Sequence, residues 1–363
     1  MLPHDVISTG SLVLRAPLQS DAEAIAAACD DPVTAAFLSQ LPSPYTTADA
    51  LDYVAAATDA WARGGAEFAV TENGAYVGAV GVAAPDRWGS VEAGYLVAPW
   101  ARGKGVASTA VRAVAQWLFD QGVPRVELQV GVENVASLKV AYRAGFREEG
   151  RRRGARQSRD GGRDDFITFA RLPGDPGEGA PPYLPPFEDG ELTDGVVRLV
   201  PLAGQDAADY HRMLADPSVA AYHVGPPTTL EDDERRCRNT GYWWVSGQRA
   251  ELAVRDAGSG AFAGHVQLTH VVPVLGQAMI GYSLLPEFRG KGFITRAVSL
   301  LVDWAFANTA LHRITAGTDA GNTASQSVLR RAGFVPECVH RELFPKQDGT
   351  WADDVQWVRL RPR

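Results

Sequence analysis

Cysteine is scarce and scattered. The chain has three, Cys29, Cys237 and Cys338, too far apart for a disulfide framework or for the paired spacing of a zinc site. A reducing compartment and no bound metal are therefore expected. Positive charge is in deficit, with 35 Lys and Arg against 43 Asp and Glu and a formal net charge of −8. A basic footprint over the whole domain is missing, which argues against nucleic acid as the main partner. Long apolar runs are missing too. None approaches the ~18 residues of a membrane helix, and the N-terminus, with Asp5, lacks a basic region followed by an apolar stretch. The expected setting is soluble and cytoplasmic, with no membrane partner. What the chain does have is length and apolar mass. Its 363 residues are 45% hydrophobic, with 9 Trp and 13 Phe, which excludes a mainly disordered protein and suffices for two cores.

Between Pro173 and Glu191 the chain reads PGDPGEGAPPYLPPFEDGE, where six prolines and four glycines remove backbone donors and oppose regular structure. This composition predicts a semi-extended linker over 173–191, with Tyr183, Leu184 and Phe187 packing onto a neighbouring domain. It separates an N-terminal domain over 1–172 from a C-terminal domain over 192–363. The two flanks repeat each other. Asp31-Pro32-Val33 returns as Asp216-Pro217-Ser218, Arg102-Gly103-Lys104-Gly105 as Arg289-Gly290-Lys291-Gly292, and Asn134 through Phe146 as Asn322 through Phe334, with offsets of 187 and 188 residues for the last two. Such a long, steady period means a duplicated domain and excludes a solenoid.

Each half carries the same succession of elements. In the first, Leu12–Arg15 is a short strand and Asp21 opens an acid-capped, alanine-rich helix. Asn73-Gly74 between apolar runs predicts a hairpin. Val91–Val97 is another strand. Ala107, Ala110, Val111, Val114 and Leu118 then recur at helical spacing, and Ile294, Ala297, Val298, Leu301 and Ala305 repeat that stripe. Strands follow at Arg125 and Arg313, each leading to a short helix that stops at Gly-Phe. A β-rich start passing into β-α-β-α predicts an α/β (mixed α+β) fold, a mixed sheet with helices on both faces.

The Arg-Gly-Lys-Gly turn is the most suggestive motif. In both halves a strand passes through proline into this turn and straight into an amphipathic helix. Paired glycines let backbone N–H groups approach a ligand, and the helix N-terminus favours an anion such as a pyrophosphate. A plain basic turn before a helix is the alternative. The glycine spacing fits neither a P-loop nor the G-x-G-x-x-G dinucleotide fingerprint.

Gly94-Tyr95-Leu96-Val97-Ala98-Pro99, Arg102 through Ala107, and Asn134, Ser137 and Gly145-Phe146 together resemble the GNAT superfamily of acetyl-CoA-dependent N-acetyltransferases. More narrowly, both halves are similar to the branch that includes the ribosomal-protein N-terminal-amine acetyltransferases RimJ and RimL. The likeness spans about 12–172 and 196–360. It implies two tandem GNAT-like domains, each a mixed, mostly antiparallel twisted sheet with helices on both faces, and acetyl-CoA as cofactor. The family's Q/R-x-x-G-x-G/A motif falls on Arg102, Gly105 and Ala107, and on Arg289, Gly292 and Ile294, the last departing from the usual small residue. The cofactor contacts implied are Val97, Arg102, Gly103, Lys104, Gly105, Val106, Ala107 and Asn134 in one half. In the other they are Leu284, Arg289, Gly290, Lys291, Gly292, Phe293, Ile294 and Asn322. The backbone at Val97 and Leu284 would meet the pantetheine arm or the acetyl carbonyl.

Acyl transfer to an amine needs a neutral amine, a polarised carbonyl and a stabilised leaving thiolate. Glu92, on the strand before Gly94, is a candidate base that the resemblance supports; a solvent-facing strand glutamate is the alternative. The second half has Met279 there, although it also carries His265 and Gln267 on a strand face shared with Thr269. Ser137 and Ser325 are catalytic candidates by resemblance, as hydroxyls near the sulfur. Asn134 and Asn322 also suit helix capping. The tyrosine acid of many relatives falls on Ala141 and Leu329, and Tyr142 lies about 100° around the helix. Arg151, Arg152, Arg153, Arg156, Arg159 and Arg163, interleaved with Asp160, Asp164 and Asp165, read as a solvated hairpin or a site that steers anions. Tyr242, Trp243 and Trp244 read as core or as a cleft wall.

The expected activity is acetyl-CoA-dependent N-acetylation of a primary amine, either a peptide or protein N-terminus or a small-molecule amine, by direct transfer without a covalent enzyme intermediate. The fused halves would act as a pseudo-dimer within one chain, a monomer being one oligomeric option. The competing expectation is a non-catalytic acyl-CoA-binding or scaffold protein with one or both halves degenerate. Met279 and Ile294 point to the second half for that role.

Overall fold

The computed structural model describes residues 2–159, 161–223, 225–346 and 349–363. The chain divides into two compact units, Met1–Pro181 and Pro182–Arg363. The first runs β1 (Ile7–Thr9), β2 (Leu12–Arg15), α1 (Ala22–Cys29), α2 (Pro32–Phe37), α3 (Thr47–Ala62), β3 (Ala66–Glu72), β4 (Ala75–Val82), β5 (Val91–Val97), α4 (Val106–Asp120), β6 (Val126–Gly131), α5 (Val135–Arg143), β7 (Arg147–Gln157) and β8 (Arg163–Arg171). The second repeats it as β9 (Leu192–Thr193), β10 (Val197–Pro201), α6 (Ala207–Ala215), α7 (Pro217–Ala220), α8 (Leu230–Val245), β11 (Ala250–Asp256), β12 (Phe262–Val272), β13 (Gln277–Leu284), α9 (Phe293–Asn308), β14 (Arg313–Asp319), α10 (Thr323–Arg331), β15 (Val335–Pro345) and β16 (Trp351–Leu360).

Each unit has one eight-stranded sheet, ordered β1-β2-β3-β4-β5-β6-β8-β7 and, in mirror listing, β15-β16-β14-β13-β12-β11-β10-β9. All neighbours are antiparallel except β5 with β6 and β13 with β14. Those parallel pairs are short. Pairing covers Val91↔Val126 and Glu92↔Glu127 in one unit and Gln277↔Arg313 through Met279↔Thr315 in the other. Beyond these residues the strands diverge and leave a wedge in the middle of the sheet.

Local chemistry explains the helices around it. Thr46 and Asp49 form a capping box at the start of α3, as Thr229 and Asp232 do for α8. Asp21 does not cap α1 directly. Its carboxylate accepts from the Leu18 N–H at 2.8 Å and pairs with Arg15, closing a one-turn 3-10 helix from which α1 continues. The helical stripes are buried: Ala110, Val111, Val114 and Leu118 on α4, and Ala297, Val298, Leu301 and Ala305 on α9. Each buried Val or Leu contributes roughly 1.5–3 kcal/mol.

The Pro/Gly-rich segment is divided between the units and does not hang free. A Cβ on Gly179 would lie 1.8 Å from the Tyr142 carbonyl oxygen, so this stretch runs tightly against the end of α5. Leu184 and Phe187 join the core of the second unit. There Phe187 meets Trp244 and Trp304 edge-on at 5.0 and 4.9 Å, while in the first unit Phe68 meets Trp61 and Trp117 at 5.1 and 5.3 Å. Trp244 lies in the core with its indole N–H donating to the Leu184 carbonyl, and Tyr242 is buried beside it. Among the described residues no helix is long and apolar enough to cross a membrane.

Candidate functional site

The turn between β5 and α4 holds Gly103 at φ +77° and Gly105 at φ +79°. Gly105 is the N-cap of α4 in the left-handed region, and no side chain caps the helix. The second unit has the same geometry, with Gly290 at φ +73° and Gly292 at φ +79° capping α9 without a side-chain bond. L-residues with a Cβ adopt this conformation at a cost, so glycine is required at both caps. An uncapped helix start presents its first-turn N–H groups outward with the positive end of the dipole, which suits a diphosphate. Gly103, Lys104, Gly105, Gly290, Lys291 and Gly292 are all exposed. The side chains of Val106, Phe293 and Ile294 turn into the core, so they offer backbone only.

The arginines of the two turns differ. Arg102 pairs with Asp31 and donates to Thr34 Oγ1 at 2.8 Å, which ties the turn to the start of α2. This partner holds the Asp31 carboxyl below the usual carboxylate range. Arg289 instead donates to the Leu284 carbonyl at 3.3 Å. Lys104 bonds the Trp100 carbonyl, and Lys291 lies over the Phe288 ring. In the second unit Leu284, Phe288, Gly290, Gly292, Ile294 and Val328 line one open cavity of ≈ 340 Å³. Strand end, turn and the helix after β14 thus meet around one space.

Asn134 caps α5 by accepting the Ser137 N–H at 3.0 Å, and Asn322 does the same for Ser325. Both side chains therefore perform the capping role. Two tyrosines that sequence reasoning assigned no function join this place. Tyr95 on β5 donates its hydroxyl to the Ser137 carbonyl at 3.0 Å. Tyr282 on β13 reaches the Ser325 carbonyl at 3.1 Å and the Ser325 hydroxyl at 2.8 Å. Each spans the wedge where the parallel strands part. Burial pushes the Tyr282 hydroxyl up to about 12, the Ser325 bond opposing it, and burial raises Tyr95 as well. The signal in the sequence was the Gly-Tyr pair at matching places in both halves. Tyr142 turns elsewhere, with its hydroxyl on Glu148 and its ring edge-on to Phe169.

Glu92 is exposed on β5, and Arg156 from β7 donates to it at 2.7 Å. The rest of the arginine-rich segment forms the solvated β7–β8 hairpin. Arg151 pairs with Asp165, and Arg159 donates to the carbonyls of Ala35, Leu38 and Leu41. Asp160 lies outside the described residues. On the second unit's corresponding face, His265 is buried with Nε2 3.2 Å from Glu251, close enough for charge attraction when protonated but poorly aligned for a hydrogen bond. Trp243 lies beside Arg249, whose guanidinium stacks 4.6 Å over its ring. Cys338 and His340, neighbours on β15, approach to 3.6 Å between Sγ and Nε2, with His340 Nδ1 3.4 Å from Asp354. The wide spacing of the cysteines had hidden this contact.

Residues 11–147 and 197–335 each match the acetyltransferase (GNAT) domain family. The chain is 34% identical over 137 residues to the probable N-acetyltransferase YjcK of Bacillus subtilis, which covers 33% of this chain and 75% of that protein. It is 37% identical over 93 residues to the putative ribosomal N-acetyltransferase YdaF of the same organism, covering 25% and 51%. Among solved structures, a ribosomal-protein-S5-alanine acetyltransferase from Vibrio fischeri is similar at 22% identity and a TM-score of 0.44, covering 47% of this chain and 96% of that one.

Proposed function

We propose, for a chain that belongs to the acetyltransferase (GNAT) domain family, that its first unit transfers acetyl from acetyl-CoA directly to a primary amine, on a peptide or protein N-terminus or on a small molecule. The observation that carries this is the uncapped, glycine-led start of α4 placed beside the wedge between β5 and β6. Acetyl-CoA bound there supplies an activated acetyl thioester. The residues present fit such a group: outward N–H groups at Gly105, Val106 and Ala107 for the diphosphate, and the Val97 backbone and Asn134 along the thiol arm. Ser137, fixed by the Asn134 cap, offers its hydroxyl at the wedge, and Tyr95 holds that helix start by its carbonyl. The second unit offers Leu284, Gly292 and Asn322 in the same places and can bind the same group. Ser325 is its hydroxyl, coupled to Tyr282.

Glu92 stands at the rim of the same cleft, and we assign its carboxylate, held by Arg156, to the acceptor amine. Glu92→Gln is expected to raise the KM for the amine by up to about fivefold with little change in kcat, because an exposed, Arg-paired carboxylate attracts the ammonium group weakly. A KM for the amine that matches wild type would remove Glu92 from acceptor binding.

The activity itself is tested by CoA release from acetyl-CoA against a panel of unblocked peptides and small primary amines. Turnover is expected with at least one class, and the peptide and small-molecule arms decide between the two acceptors. No release with any amine would defeat the transfer reading.

A further inference from the structure

We propose that Glu67 on β3 is the group that takes the proton from the acceptor amine in the first unit, acting directly or through one water; the inference rests on the transfer activity proposed above. Register places it. Glu67 pairs across to Gly81 on β4, and Gly81 pairs across to Gly94 on β5. The three residues form a row on one face of the sheet that ends at the wedge, since β5 and β6 part just after Glu92. Neighbouring strands lie about 4.8 Å apart, so the Glu67 backbone is two strand spacings from Gly94 and its carboxyl, over Gly81, is about one. The carboxylate leans along that row: a Cβ on Gly81 would sit 2.8 Å from its Oε2. A Cβ on Gly94 would meet nothing within 4 Å. Two glycines in succession thus clear a trough from the wedge to the acid.

Glu67 is half-buried and accepts a hydrogen bond from the Tyr53 hydroxyl at 2.9 Å. Burial lifts its pKa above the ordinary glutamate value, with the Tyr53 bond opposing, which brings it nearer the range useful to a base. The other titratable group facing it is Tyr76 from β4. Glu92, paired with Arg156, lies two residues before Gly94 on β5, at the last position paired with β6.

The duplicated unit shows what closing this trough looks like. Glu251 occupies the same place on β11, but its row continues with Gln267 and Gly281. A Cβ on Gly281 would lie 3.0 Å from the Gln267 amide nitrogen, so the Gln267 side chain covers that glycine. Arg236, which replaces Tyr53, grips Glu251 through both oxygens, and Arg249 and His265 add two more contacts. Glu251 is a shielded counter-ion, whereas among the described residues the partner bonded to the half-buried Glu67 is the neutral Tyr53 hydroxyl.

In the step assigned to it, the acceptor arrives as R–NH3+ and gives one proton to the Glu67 carboxylate. The neutral amine then forms the N–C bond while the C–S bond breaks. The second nitrogen proton neutralises the departing thiolate, and the third stays on the amide. The test uses the full-length chain and the amine from the panel that turns over best. Glu67→Gln should lower kcat by roughly a hundredfold, in the range a positioned base supplies, and abolish the acidic limb of its pH profile, while calorimetry shows acetyl-CoA affinity within twofold of wild type. Tyr53→Phe, which removes the opposing bond, should move that limb to higher pH. Gly81→Gln, copying the second unit, fills the trough, displaces the Glu67 carboxylate and should lower kcat. A Glu67→Gln variant with wild-type kcat and an intact limb overturns the assignment and leaves the transfer activity standing. A wild type that binds acetyl-CoA and acetylates no amine overturns both.

Discussion

Gly105→Val should weaken acetyl-CoA binding at the first unit by roughly a hundredfold or more. Two costs combine. The residue sits at φ +79°, where a β-branched side chain costs about 1–3 kcal/mol of strain or forces the turn to rebuild. A rebuilt turn also misaims the first N–H groups of α4, and each charge-assisted bond to a phosphate is worth about 1.5–3 kcal/mol. The nearest atom to a Cβ at Gly105 is Ser108 Oγ at 4.0 Å, so the effect comes from the backbone and from occupied ligand space, not from an internal clash. Gly10→Val is the control: Gly10 has φ +57° and open space around its Cβ, and it lies in the β1–β2 turn. It should cost stability and leave affinity alone. Gly292→Val should act on the second unit as Gly105→Val does on the first, so calorimetric titration of the two single variants and the double variant counts the sites. Undiminished affinity in the double variant would mean that the glycine turns hold no diphosphate.

The other large effect concerns stability. Glu251→Gln should destabilise the second unit by about 3–5 kcal/mol, because it strips the shared partner from Arg236 and Arg249 and leaves the two guanidinium charges poorly compensated. Burial alone would raise the Glu251 pKa; the close approach of His265 and the charges of Arg236 and Arg249 outweigh it and bring the value to about 2, against 4.5 ordinarily. A carboxyl lowered on folding stabilises the fold above its unfolded pKa, and that contribution fades as pH falls from 4.5 through about 2. The difference corresponds to about 3 kcal/mol. Hydrogen exchange on the amides of β11 and β12 should quicken over this window in wild type and lose that dependence in Glu251→Gln. Exchange in β3 and β4 should not follow the same curve, because Glu67 is shifted in the opposite direction. Protection of β11 that is the same in wild type and variant at neutral pH would show that the cluster adds nothing to stability.

Much of the fold could be read without coordinates. The apolar stripes of α4 and α9 obey a 3.6-residue period, and every stripe position except the half-buried Ala107 is buried. The Asn73-Gly74 pair sits at the turn between β3 and β4. The Arg-Gly-Lys-Gly turns carry positive φ at both of their glycines. The candidate site was less legible. Glu92 was visible as a strand acid, but its partner Arg156 is 64 residues away and emerged only from the folded hairpin. Glu67 drew no notice, because nothing in the run Ala66-Glu67-Phe68 shows that two glycines on other strands will line up beside it. Leu184 and Phe187, expected to pack from the proline-rich segment onto a domain, do so in the second unit's core.

The amino-acid order thus determined what short stretches encode physically: periodic burial, turn conformations only glycine tolerates, helix caps, and the duplication that repeats them. Tertiary structure decided which side chains share a space. Strand register brought Glu67, Gly81 and Gly94 into one row and Glu251, Gln267 and Gly281 into another. Register depends on packing summed over the whole sheet, and a shift of one residue would send every one of those side chains to the opposite face.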